Sequence, residues 1–185
     1  MSEYYLMSQL PSLDGLSDNL PLPITEERFL ELCHRLLGKK ARDEVDKLTL
    51  SPPRAPAPTP SALIEAWNRG ERDLRLALGR ARADKMKKPF DVGERILPAT
   101  LVKVANEAVE AETPLAAERL LDGYRLAFLE TLRPTDAFSE DFVFYYGLKL
   151  KLLVCARRFD AALGEQAYRN IYRSVLDGEG LEAKL

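Results

Sequence analysis

The 185-residue chain carries 27 Lys and Arg against 29 Asp and Glu, a formal net charge of −2, and 46% of its residues are hydrophobic. That length suits one domain with a real core, and the near balance of charge argues against a protein built mainly to hold nucleic acid or an anionic membrane. Two cysteines, Cys33 and Cys155, stand far apart without CxxC spacing, which suggests neither a disulfide framework nor a zinc site and fits buried thiols in a reducing cytoplasm.

The opening MSEYYLMSQLP lacks a basic n-region and a long apolar run, so it is no signal peptide, and no later stretch approaches the ~20 apolar residues of a membrane span. Contact with a membrane is therefore expected only through a partner. Residues 2–24 hold Pro11, Gly15, Pro21 and Pro23, punctuation that predicts an extended arm or short strand packing Tyr4, Tyr5, Leu6 and Met7 onto the body. From Thr25, a cap followed by Glu26 and Glu27, the spacing of Phe29, Leu32 and Leu36 predicts a helix that ends at Gly38. A second helix, about 39–48, turns Ala41, Val45 and Leu48 inward and alternating charges outward.

Pro52, Pro53, Pro56, Pro58 and Pro60 then make SPPRAPAPTP a polyproline spacer or, as a second reading, a docking ligand. Thr59 and Pro60 stand as cap and first residue of a long helix running to Lys88. Leu63, Trp67, Leu74, Leu78 and Ala81 share one stripe of it, while Arg69, Arg72, Arg75, Arg80 and Arg82 point elsewhere.

Pro89, Gly93 and Pro98 break the next segment. A helix over about 98–112 buries Leu101, Ala105, Ala108 and Val109. Thr113 and Pro114 start another with Ala117, Leu121, Tyr124, Phe128 and Leu132 inside and Glu118, Asp122, Arg125 and Arg133 outside. Ser139 caps a helix whose core side holds Phe142, Tyr145, Tyr146, Leu150 and Leu153, closed by Arg157 and Arg158. A last helix over about 160–176 carries Leu163, Ala167, Ile171 and Val175. The sum is an all-α bundle of six to seven helices with a proline-rich linker: a single domain over 1–185, divided into an arm with two short helices (1–48), the linker (49–60) and the main bundle (61–185).

No catalytic constellation emerges. His34, the single histidine, sits beside Cys33, and neighbours on a helix point about 100° apart, which suits a packed or half-exposed histidine better than a dyad. The pairs Glu26/Glu27 and Glu140/Asp141 follow caps, and Glu107, Glu110 and Glu112 form a solvent face without a histidine to make a metal site. Gly38–Lys39 lacks the rest of a phosphate-binding loop. No cofactor or metal is therefore expected. The basic excess from Arg69 to Lys88 would suit nucleic acid only with exposed aromatics to stack on bases, and Trp67 faces inward, so a paired surface or a protein-docking surface is the better reading.

The segments YYLMSQLPSL, PITEERFLELC, ERDLRLALGRARADK, TPLAAERLLDGYRLAFLETL and FSEDFVFYYGLKLKLL together resemble a bacterial family of uncharacterised proteins encoded among V-type ATPase subunits. Glu71, Leu74, Arg75, Leu78, Arg82 and Lys85 further resemble a helix of the C-type stalk protein of V/A-type ATPases, the counterpart of the eukaryotic d-type one, as do Phe142, Tyr146, Lys149 and Lys151. The resemblance implies an all-helical, non-catalytic stalk protein that couples rotor shaft to proteolipid ring, here reduced to about half the length, with room for one lobe of that socket and part of another. It implies a cytoplasmic protein held at the inner face of the membrane through the ATPase. Arg69, Arg72, Arg75, Arg82 and Lys85 are the expected partner-contacting set, with Glu71 and Asp73 setting local charge pairs. A free-standing helical adaptor that docks through its prolines is the alternative.

Overall fold

In a computed structural model that describes residues 2–16, 21–91, 93, 95–157 and 169, the periodic segments form seven α-helices, and no strand occurs among the described residues. They are α1 (Ser2–Gln9), α2 (Glu26–Leu36), α3 (Lys39–Asp46), α4 (Ala62–Lys85), α5 (Ala99–Glu110), α6 (Pro114–Thr131) and α7 (Glu140–Arg157). The all-helical bundle is as the periodicity predicts. The helix expected over 160–176 lies outside the described residues.

Hydroxyl caps set several starts. Thr25 accepts from the Arg28 amide at 3.2 Å, Thr113 from Ala116 at 3.1 Å, and Ser139 from Phe142 at 3.2 Å. The start of α4 departs from expectation. Its cap is Ser61, which accepts from the Ile64 amide at 3.2 Å, whereas Thr59 donates to Glu44 at 3.0 Å. Ser61 also donates to Asp141 at 2.6 Å, so one hydroxyl caps α4 and ties it to the first turn of α7.

The amino-terminal segment also differs, because it is helical rather than extended. Every proline and glycine that argued against a helix lies beyond Gln9, which leaves eight uninterrupted residues that bury Leu6 against the body. Tyr4 and Tyr5 are not packed inward; both are exposed, with Tyr4 stacked on Phe138 at 4.8 Å.

Two hydrophobic cores result. The larger joins Leu6, Phe29, Cys33, Val45, Trp67, Leu129 and the apolar length of α7. The smaller joins the second half of α4 (Leu74, Ala77, Leu78, Ala81) to Leu101, Ala105 and Ala108 of α5 and Leu121 of α6. Both α4 and α6 cross from one core to the other. α7 has no polar face through its middle: Val143 to Leu150 are all buried, because α1, α2, α3, α4 and α6 surround it. The approach of α2 and α3 needs Gly147, where a Cβ would stand 2.9 Å from Leu48 and 3.0 Å from Phe29.

Candidate interaction surface on the long helix

The arginines of α4 do not act as one surface. Arg75 and Arg82, seven residues apart, share an edge of the helix, and Arg69 lies about 120° away around it. Non-helical segments claim much of the space between. Arg75 donates to the carbonyls of Pro52 at 3.0 Å and Leu50 at 3.5 Å, and the Trp67 indole N–H donates to Thr49 O at 3.2 Å. The start of the proline-rich stretch is therefore strapped along α4, with Pro52 buried, and residues 53–58 stand exposed as a spacer would.

Residues beyond the carboxyl end of α4 also meet it. After Lys87, whose φ of 53° turns the chain, Phe90 lies against Gly79 and Arg95 meets Asp73 at 2.6 Å. Lys85 turns across to donate to Val109 O on α5 at 2.6 Å. Of the five expected contact residues, Arg75 and Lys85 thus hold the chain's own carbonyls, and Arg72 is half-buried with its Nε enclosed and unbonded. Arg69 and Arg82 are exposed without a partner among the described residues.

Glu71 and Asp73 do form charge pairs, but with residues far along the chain. Glu71 is 2% exposed and accepts from Arg125 Nε at 2.9 Å; the same guanidinium donates to Asp122 at 3.0 Å. Asp122 and Arg125, expected outside, are buried and largely buried, because α6 packs against α5 and α7 and its side chains meet Glu71 and Trp67 of α4. The cluster sits where the two cores meet. Burial pushes the Glu71 carboxyl above the usual range, against the pull of Arg125, and its Oε2 has no hydrogen-bond partner.

A second cluster pins the amino-terminal segment. The ammonium of Lys149 lies 2.5 Å from Asp14, 2.6 Å from Glu130 and 3.2 Å from the Tyr145 hydroxyl. Burial acts to lower the Lys149 pKa, yet these partners raise it. The hydrogen bond from Lys149 holds Asp14 below the usual carboxylate range. At Glu130 burial is outweighed by the hydrogen bonds from Lys149 and Tyr145, so it too is lowered. Helical spacing from Phe142, Tyr145 and Tyr146 puts Lys149 on the core side of α7, but nothing in the sequence shows the tertiary partners that make its burial tolerable.

His34 meets Asp46 at 2.7 Å on the surface, as suits a half-exposed histidine. Burial, with a contribution from Asp46, pushes the Cys33 thiol up to about 12, which keeps it protonated, whereas Cys155 is half-buried. Glu107, Glu110 and Glu112 are not drawn together, and among the described residues no group of three His, Cys, Asp or Glu is placed to hold a metal ion. No described helix is long and apolar enough to cross a membrane.

Two concave surfaces open from α4. One, about 350 Å3, lies between the carboxyl end of α4 and the α5–α6 corner and is lined by Leu78, Ala108, Val109, Ala117 and Leu121, with Arg82, Lys85, Met86 and Glu118 around it. The other, about 300 Å3, lies at the junction of the cores, where Arg69 and Asp73 border Gly70, Leu101, Tyr124 and Phe128. Each thus carries one exposed, unpaired arginine of the expected set at its edge. Comparison of the chain with protein-family models, curated proteins and solved structures finds no match.

Proposed function

We propose that the chain is a non-catalytic helical accessory of a V-type ATPase, acting by protein contact at the coupling or assembly of the rotor on the membrane ring. The observation that carries the contact reading is the sorting of the α4 cations. Those that hold the fold are engaged on backbone carbonyls, and Arg69 and Arg82 are left unpaired at the edges of two concave apolar surfaces. Unpaired guanidinium groups beside apolar hollows suit recognition of another protein. The ATPase as partner rests on the resemblance of the segments quoted above, and an all-helical fold supports it.

The test is co-purification of the native chain with ATPase subunits from membranes, paired with proton pumping in a deletion strain. Recovery of ATPase subunits with impaired pumping is the expected result. An empty pull-down or unimpaired pumping would sink the reading.

A second reading has its own observation. Because residues 50–52 are clamped to α4 while 53–58 are exposed, Pro53, Pro56 and Pro58 are displayed from a fixed base, as a docking element would be. Replacing these three prolines with Gly and Ser should abolish partner binding if the chain is a free-standing adaptor. Unchanged binding would leave the segment a connector.

A further inference from the structure

We propose that the groove at the carboxyl end of α4 receives an amphipathic helix of a partner protein whose apolar stripe is flanked by acidic side chains. This deepens the contact reading above and rests on it. The floor is apolar, and Ala108 and Ala117 keep it open, so a helix can come close to the α5 and α6 backbones. Met86, 59% exposed at the rim, supplies an unbranched side chain that adapts to the shape laid against it.

Charge selects the occupant. Arg82 on the wall and Lys87 and Lys88 just beyond it are exposed, and none has a partner among the described residues. Lys85 is held by Val109 O and adds a fixed positive charge. The acid in the lining, Glu118, lies 3.9 Å from Arg125, a guanidinium it shares with Glu71 and Asp122, so it adds negative charge on the α6 wall. The α4 wall of the groove therefore presents exposed positive charge beside an apolar floor, while Glu118, Glu110 and Glu112 lie on the α5–α6 side, and an acidic amphipathic segment laid along the α4 wall is favoured over a basic one. An anionic lipid surface would also meet these cations, but it is flat and could not fill a concave floor between three helices.

Amide chemical shifts of the full chain, followed while a designed helical peptide is added, test the assignment. The peptide carries leucines at helical spacing with glutamates on both flanks. Shifts should cluster at Leu78, Met86, Ala108 and Ala117. Arg82→Glu combined with Lys87→Glu should weaken binding at least about tenfold, and Ala117→Leu should block it, with thermal melting showing each variant folded. Should Ala117→Leu fail to fold, Met86→Ala on the exposed rim serves instead and should weaken the same binding.

Equal binding of the peptide with lysines in place of glutamates would overturn the proposal, as would shifts that miss these residues. So would Arg82-dependent sedimentation with mixed phosphatidylserine and phosphatidylcholine vesicles when the peptide does not bind, or concentration-dependent self-association that buries the groove. Failure of the peptide with intact ATPase co-purification overturns the groove assignment alone. Peptide binding with no ATPase recovered overturns the ATPase reading alone.

Discussion

The two cores are built to different standards although α4 and α6 run through both. The larger surrounds α7 with Trp67, Phe29, Tyr145, Tyr146 and a set of leucines, and is closed over the amino-terminal segment by Lys149. The smaller rests on Leu74, Leu78, Leu101 and Leu121 with four alanines between them, and both concave surfaces beside α4 border it. Large side chains packed around a central helix leave little space to rearrange, whereas alanine-spaced helices leave open ground between them. The first core holds α4 in place, and the proposed contact surface lies on the second, where the packing is more open.

The largest expected effect breaks the first core. Trp67→Ala should cost about 3–5 kcal/mol in denaturant unfolding and lower amide protection throughout, whereas Leu101→Ala should lose protection mainly in α5. Equal and global effects of both would show that the cores are a single cooperative unit.

Lys149→Met comes next, at about 1–3 kcal/mol, because Asp14, Glu130 and Tyr145 lose a shared donor. Hydrogen exchange should show α1 loosening first, and a wild-type pattern there would rule out the clamp.

The same clusters predict opposite responses to pH. Asp14 and Glu130 have folded pKa values below their unfolded ones, so their contribution is present near neutrality and is lost as pH falls through those values. Glu71 is raised by burial, so its contribution is present in acid and is lost as pH rises through its folded pKa. Acid should therefore free α1 before it weakens the α4–α6 junction. The stability difference between Glu71→Gln and wild type should shift in favour of wild type as pH falls; a difference flat with pH would show that Glu71 is not desolvated.

Gly70→Ala probes the boundary. Its Cβ would collide with the Phe128 ring, and since that ring is only half-buried and can swing, the cost should fall near the low end of ~1–3 kcal/mol in thermal melting. No cost would mean that the junction is loosely packed. The smallest effect separates the two arginines on one edge of α4. Arg75→Ala should cost about 1 kcal/mol through its lost hydrogen bonds to the 50–52 strap, and Arg82→Ala should leave stability unchanged. A stability loss at Arg82 would contradict its assignment to a surface.

Much of this fold is legible in the chain itself. The stripe from Leu63 to Ala81, the inward Trp67, the caps Thr25, Thr113 and Ser139 and the helix breaks at Pro98 and Pro134 all follow from local spacing and hydrogen-bonding chemistry. The helix at Ser2–Gln9 is harder to see, because the prolines that punctuate the segment all follow it and disrupt only the residues beyond. Spacing sets Glu71, Arg125 and Lys149 on the inward stripes of their helices, but they and Asp122 read as ordinary helical charges because the sequence does not show whether water or a distant carboxylate solvates a charged residue.

The sequence by itself thus determined that this chain is helical, which face of α4 turns inward and where most helices begin, since these depend on residues within a few positions of one another. Only the tertiary structure decided which arginines are spent on the chain's own carbonyls, which acids are buried at the junction of the cores and that the middle of α7 is enclosed on every side. Those outcomes depend on partners brought together across 54 residues for Arg125 and Glu71 and 135 for Lys149 and Asp14. Local propensity carries no record of such pairings.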